Sequence, residues 1–516
     1  MMSNADETNT ETPESAPQNG PKIGTDEWVA QVEERRQEHS GPWGKFVGWW
    51  DRVPNNGRYA FFLFLALSMP VLTGTELFLD AAGISNNAFI LRTGVRFLTF
   101  AVLAIGLNVV VGYAGLLDLG YIAYMGIAGY LYAYMSSEFV VITGLVPGGL
   151  AVPAIISIPL IIILTALVGW VIGTVSIRLA GDYFAIVTLG FGLVFTQLAL
   201  TMTRVKLPWT ERAVDFTRGP NGINRVDNIS LFGFTFETTE HYYYLFLVLL
   251  VLVFVVVNNL NKSRTGRSWR ALHDDELAAE VMSVPTRYMK VLAVIIGAGI
   301  AALAGSVDTA FQGNVVPNPR YSALTLINLY AMVVLGGLGS LPGAILGAFI
   351  FTVLPEALRS IQFAGFLFYG VGILMLFFYL KPKRFLLLMG GTIMGGLAVK
   401  LLVSVIAPQF DAGYPEAGSV LNQVIQGWLI IPPNFSTVGN VVTIAAVGMM
   451  LLTAVIKPPW RWITLGVTIY MATFAWETRL AIEPAATRIL VVGFTLVLLM
   501  IFRPHGILGK PEVRVV

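Results

Sequence analysis

Residues 247–257 read LVLLVLVFVVV and residues 291–305 read VLAVIIGAGIAALAG. Apolar runs of this kind recur from residue 59 to near the end of the chain, and they leave few folds open. The chain has 516 residues, 55% of them hydrophobic and only 12% charged, where roughly 25% charged residues is usual for a water-soluble domain. We therefore read it as all-α, a polytopic helical bundle in a membrane. There each helix satisfies its own backbone N–H and C=O groups. At ~20 residues per crossing the apolar runs amount to about 12–14 transmembrane helices.

Several function classes drop out. Without cysteine there is no disulfide, thiolate metal site or cysteine nucleophile. His39, His241, His273 and His505 are scattered and form no metal-binding spacing. The two Gly-Lys pairs, Gly44-Lys45 and Gly509-Lys510, lack the upstream glycine and the Ser/Thr of a phosphate-binding loop. No catalytic cluster of His, Asp or Glu is visible, so an enzyme is not expected, nor is a cofactor or metal. If ATP drives this protein, another chain hydrolyses it. The net charge of +2 gives no reason to expect nucleic acid.

The position of the charges says more than their sum. Residues 266–290, GRSWRALHDDELAAEVMSVPTRYMK, form a charged island between two apolar runs. Lys262, Arg264, Arg267, Arg270, Arg287 and Lys290 bracket it, which places it in the cytoplasm by the positive-inside bias. With no Gly or Pro over 268–284, one continuous amphipathic helix is expected. Asp274, Asp275 and Glu276 favour its N-terminal half, and Trp269, Leu272, Ala279 and Met282 fall near one face. Such a helix either docks into a groove of a cytoplasmic partner or lies as a solvated loop helix on the membrane.

Here a family resemblance enters. Glu276, Ala278 and Ala279, followed by Ser283, resemble the EAA-type coupling motif of ABC importer permeases, with Ser283 standing where that motif usually has Gly. The string 106–123, GLNVVVGYAGLLDLGYIA, resembles the LivM-type permeases for branched-chain amino acids, in the LivH/LivM superfamily. GDYFAIVTLGFG (181–192) and NLYAMVVLGGLGSLPGAILGA (328–348) are similar to the same family. Leu193 and Thr196 stand where relatives carry a Glu and an Arg, so no role of that pair transfers to this chain.

The resemblance implies an ABC importer permease fold and a role in ATP-driven import of branched-chain or related hydrophobic amino acids. It also implies partners: a second homologous permease, two cytoplasmic ATP-binding subunits, a periplasmic substrate-binding protein and the lipid bilayer of a bacterial inner membrane. Coupling to the ATPases would fall to Trp269, Leu272, Glu276, Ala278, Ala279 and Met282. Candidate pathway residues are Asn108, Tyr113, Asp118, Tyr121, Tyr124, Asp182 and Thr188. A carboxylate within a span is a functional candidate by default, and the alternative for Asp118 is a helix cap.

In chain order the expected organisation is a disordered cytoplasmic tail (1–40), an interfacial segment rich in Trp, Lys and Arg (41–58), and the permease core (59–380). Inserted transmembrane segments (381–485) follow, then a last helix and cytoplasmic tail (486–516) resembling the relatives' ending. Re-entrant segments around Asp118 and over 336–343 would lower the number of crossings. Charge placement puts both termini in the cytoplasm and the polar loop 204–241 outside. Two rivals keep the membrane class but change the chemistry: an ABC permease for urea or short amides, and an ion-coupled secondary amino acid transporter using Asp118 and Asp182.

Overall fold

The computed structural model describes residues 55–73, 87–139, 150, 152–176, 183–206, 213–358, 382–410, 432–456, 460–482 and 506–509, with isolated positions within 365–380, 425–430 and at 493. The expected tail 1–40, most of the interfacial segment and Asp182 lie outside the described residues. Contacts divide the chain into two units, Met1–Met69 and Pro70–Val516. Helix α1 (Asn55–Thr73) starts in the first unit and exposes Phe61, Phe62 and Phe64. Everything below concerns the second.

That unit is helical, as its composition demands. In order, the core elements are α2 (Asn87–Asn108), α3 (Tyr121–Ser136), α4 (Ala154–Ser176) and α5 (Tyr183–Thr201). A loop follows with strands β1 (Val205–Lys206), β2 (Ala213–Val214), β3 (Ile223–Asn224), β4 (Ser230–Leu231) and β5 (Phe234–Thr235). Then come α6 (Thr239–Lys262), α7 (Arg264–Asp274), α8 (Glu276–Val281), α9 (Thr286–Gln312), strand β6 (Asn314–Val315), α10 (Ala323–Gly336) and α11 (Leu341–Ala357). The three helices of the expected insertion are α12 (Pro382–Ile406), α13 (Phe435–Val455) and α14 (Trp460–Ile482). Each strand has two residues, and they pair only as β1–β2, β3–β6 and β4–β5.

Among the described residues six helices are long and apolar enough to cross a membrane, and four shorter apolar helices accompany them. The apolar runs over 323–338 and 343–359 form two short helices. At 14 and 17 residues, or roughly 21 and 26 Å, each falls short of a hydrocarbon core of ~30 Å. They meet at a break, which is the re-entrant alternative.

Helix α2 is the axis of the unit. Val95, Leu98, Ala101–Ile105 and Leu107 are all at or near zero exposure, because α6, α9, α10 and α11 surround it. Helices α4 and α5 are the opposite case. Only 22% and 17% of their apolar windows are buried, and Ile156, Ile163, Ile186 and Val194 face outward, as lipid-facing helices do. Small residues set the spacing. Gly297, Ala298, Ala301, Ala302 and Gly305 of α9 are buried against α3 and α4. A Cβ on Gly305 would lie 2.3 Å from the Met125 carbonyl oxygen of α3, so the two backbones approach as only small residues allow.

Two late segments close on this core. The N–H groups of Ile507 and Leu508 donate to the Leu335 and Gly336 carbonyls at 2.9 and 3.0 Å, capping the open end of α10. In α14, Trp476 stacks on Phe368 with centroids 4.2 Å apart. Beside it the Tyr369 hydroxyl donates to Glu477 at 2.7 Å. The acid of α14 thus faces protein, where a hydrogen bond offsets part of its burial.

Candidate functional site

Two groups of residues carry the functional candidates, and they touch. The first is the charged island. The expected single helix over 268–284 is two helices. The chain bends at Asp275, which is extended (φ −157°, ψ 112°), and the Asp275 carboxylate accepts from the Ala278 N–H at 3.0 Å as the cap of α8. Asp275 and Glu276 therefore start a second helix, and Asp274 closes the first; the run does not lie in the N-terminal half of one helix. Capping explains this, since Asp competes well for the free N–H groups of a first turn. Helix α8 ends at Ser283, which is left-handed (φ +62°). Glycine enters that region freely and serine at a cost of about 1 kcal/mol, a physical reason for the glycine usual at this position in the motif.

The apolar residues of this segment divide into two sets. Trp269, Leu272 and Ala279 are buried within the chain. The Trp269 Nε1–H donates to the Met289 carbonyl of α9 at 2.8 Å, which fixes α7 to the next span. Met282, expected on the same face, is 78% exposed, and Leu277 and Val281 beside it are 75% and 84% exposed. Ala278 is exposed, and Glu276 forms a surface ion pair with Lys290. Periodicity missed Leu277 and Val281 because it identified the face held by the chain itself. The bend at Asp275 then turns a different face outward.

The second group lies where α2 and α3 are interrupted. Helix α2 ends in a π-turn, Val109–Tyr113, and an irregular stretch leads through Asp118 to α3. The break between α10 and α11 packs against it. Asn108 is fully buried, and its Oδ1 accepts from the Gly339 N–H at 2.9 Å. Asp118 is also buried, and its Oδ1 accepts from the Gly120 N–H at 2.9 Å. Its backbone carbonyl accepts from the Tyr330 hydroxyl at 2.7 Å. Thr188 of α5 accepts from the Leu119 N–H at 3.0 Å and donates back to the carbonyls of its own helix. Asn108, Asp118 and Thr188 thus supply partners to backbone freed where helices stop, the demand a membrane makes on any irregular segment.

Tyr121 and Tyr124 stand edge to face in the first turn of α3, with centroids 6.4 Å apart. Tyr121 fills the space left by Gly106 and Gly297. Tyr113 is buried at the π-turn. Six of the seven pathway candidates therefore surround one junction, and the seventh, Asp182, lies outside the described residues. The two groups meet at Gly115, which is left-handed (φ +69°); a Cβ there would lie 2.8 Å from Nδ1 of His273 in α7. The end of α7 rests on the break.

The capping geometry predicts a split between two substitutions. Asp118→Asn keeps an Oδ1 acceptor for Gly120 and should preserve both folding and transport. Asp118→Leu leaves that N–H unpaired and should lower stability in detergent by about 1–3 kcal/mol. A well-folded Asp118→Asn protein without transport would assign the carboxylate an ionic role instead.

Comparison with known proteins agrees with this architecture. Residues 89–380 match the family model described as branched-chain amino acid transport system, permease component. The chain is 33% identical over 310 residues to the high-affinity branched-chain amino acid transport permease LivM of Escherichia coli K12, covering 56% of this chain and 67% of LivM. It is 27% identical over 265 residues to LivH of the same organism, covering 51% and 82%. It is also 35% identical over 104 residues to LsrC, the autoinducer 2 import permease of Salmonella choleraesuis, covering 19% and 30%. No solved structure gives a significant match. The apolar spans, the two paired helix breaks and the family match over more than half its length place this chain in the family of branched-chain amino acid transport permeases, as a multi-pass membrane protein.

Proposed function

We propose that this chain forms one half of the translocation pathway of an ATP-driven importer for branched-chain or related hydrophobic amino acids. A second homologous permease completes the pathway, two cytoplasmic ATPases bind the α7–α8 segment and its counterpart in that permease, and a periplasmic binding protein delivers substrate. In this reading the coupling segment and both termini face the cytoplasm of a bacterial cell. The observation that carries it is the contact of His273 with the break at Gly115, because it joins the outward surface of α8 to the core. Leu277, Val281 and Met282 offer an apolar contact to an ATPase, Trp269 holds α7 to α9, and a displacement of α7 reaches the α2–α3 break without passing through a flexible loop. Two discrete packings of that junction would give alternating access.

A zwitterion with an aliphatic side chain asks little of its pathway. Backbone groups at helix breaks and a few hydroxyls suffice, which suits a core with so few ionisable groups. The reading is tested by uptake of labelled leucine into proteoliposomes holding all subunits, with and without internal ATP and with labelled urea as rival. ATP-dependent leucine uptake supports it. Urea uptake alone moves the substrate, and uptake that follows an ion gradient without ATP refutes the ABC assignment.

The docking surface has its own test. Val281→Asp with Met282→Asp puts two charges on the exposed face and leaves Trp269 in place. Loss of one interfacial hot spot, about 2 kcal/mol, predicts at least ~30-fold weaker ATPase binding, read by titration in detergent. Unchanged binding would move the contact elsewhere on the segment.

A further inference from the structure

On the face opposite the coupling segment, β4 and β5 form a hairpin with Leu231 opposite Phe234. The two turn residues, Phe232 and Gly233, both have positive φ, +52° and +84°. Tight hairpin turns of that kind favour Asn-Gly or Gly-Gly, and a bulky aromatic is a poor choice for the first position. Phe232 is nonetheless 94% exposed at the tip. Neither the backbone nor the surrounding water favours it there, so its place is explained by what it meets.

The base of the hairpin is well held. The Tyr242 hydroxyl donates to Asn228 Oδ1 at 3.2 Å and accepts the Ile229 N–H at 3.3 Å. The Phe236 N–H donates to the Ile229 carbonyl at 2.9 Å. Phe234 packs on Phe236 and His241 at 5.2 and 5.0 Å, and Tyr242 packs on Phe311 at the end of α9. A rigid base therefore holds out an aromatic tip. Residues 229–236 read ISLFGFTF, with no charge. Strand β4 packs against α4, whose neighbouring Ile155 and Ile156 face outward, so the apolar surface continues from a spanning helix onto the hairpin.

We infer that the Phe232 hairpin is an interfacial anchor, seating its aromatic tip at the boundary between headgroups and acyl chains beside α4 and α6. Aromatic rings collect at this depth, and charge-free composition suits lipid better than a protein rim, which is polar. The inference needs only that α4 and α6 span the membrane, so it stands apart from the substrate assignment.

The chain has no cysteine, so a single spin label reports one position. Phe232→Cys, Ile156→Cys as a lipid-facing control and Asn221→Cys as an exposed loop control would each be labelled in the assembled transporter in proteoliposomes, without binding protein. Collisions with oxygen and with a water-soluble nickel complex are then measured. The anchor predicts that position 232 follows Ile156, with high oxygen and low nickel access. Nickel access equal to that at Asn221 overturns it. Shielding from both reagents, or shielding that arises only when binding protein is added, also overturns it and assigns the tip to a protein contact. Phe232→Asn creates an Asn-Gly turn and should leave the fold intact, confirmed by an unchanged Ile156 signal in that background. A label at Thr235 in the same background should gain nickel access if the anchor is lost; unchanged access overturns the inference.

Discussion

Trp269→Ala is expected to lower the stability of the folded transporter by about 3–5 kcal/mol, the cost of deleting a large buried aromatic. It should also lower the number of substrate molecules carried per ATP hydrolysed. The side chain is fully buried, and its indole N–H bonds to the Met289 carbonyl. Without it α7 has lost its anchor on α9, while Leu277, Val281 and Met282 remain exposed. The ATPases would bind and turn over, but the displacement of α7 would be absorbed by loose packing before reaching His273 and Gly115. Trp269→Phe separates the two terms. It keeps most of the packing, loses one hydrogen bond worth about 1 kcal/mol, and should retain most coupling. Thermal unfolding in detergent measures the first effect, and uptake divided by phosphate release in proteoliposomes measures the second. A Trp269→Ala transporter with an unchanged ratio would remove α7 from the transmission path.

The parts of this fold legible in the sequence are those set by local chemistry. Long apolar runs marked helices such as α2, α4, α6 and α9, since hydrophobic length is a property of the segment alone. The breaks near Asp118 and over 336–343 showed as glycine clusters inside apolar runs. Gly337 and Gly339 are left-handed, which only such residues adopt freely. Long-range pairing was not legible. Nothing local says that Asn108 meets Gly339 across 231 positions, or that Tyr121 fills a gap left by Gly106 and Gly297. In the coupling segment, periodicity found Trp269 and Leu272 correctly as one face but could not say what buries that face. The answer was α9 of the same chain. The outward residues Leu277 and Val281 became visible only with the bend at Asp275, although an aspartate three residues before Ala278 is itself a capping signal.

The insertion shows the same division. Of its helices, α12 is long and apolar enough to cross a membrane and α13 carries a shorter apolar stretch, and the family match ends at residue 380, just before them. Their attachment rests on Trp476 against Phe368 and on Glu477 with Tyr369, a pairing without a sequence signature. The late segment at Ile507 and Leu508 still reaches the end of α10.

Asn108→Leu is expected to be the most damaging conservative-volume change in the core. The two side chains are similar in size, so little cavity forms, and the effect combines the lost hydrogen bond with removal of a buried amide nitrogen that has no partner. A hydrogen bond between neutral groups is worth about 1 kcal/mol net, and the part-buried Gly339 N–H left without an acceptor can raise the cost to about 1–3 kcal/mol. The damage should also be directional. Asn108 is the direct link between the break after α2 and the break before α11, and Gly112 sits so close that a Cβ on it would lie 2.5 Å from the Gly339 nitrogen. With the link gone the contact between the breaks should loosen locally, while the Tyr330 bond to Asp118 and the packing of α10 and α11 on α2 still join the two halves. Asn108→Asp keeps an acceptor at the same place but introduces a buried charge or a bound proton, so its transport should gain a pH dependence that Asn108 does not contribute. Hydrogen exchange at the Gly339 amide reads the link directly. Fast exchange in Asn108→Leu with α2 still protected would confirm a local break, whereas unchanged protection at Gly339 would show that the two breaks are held together by packing alone.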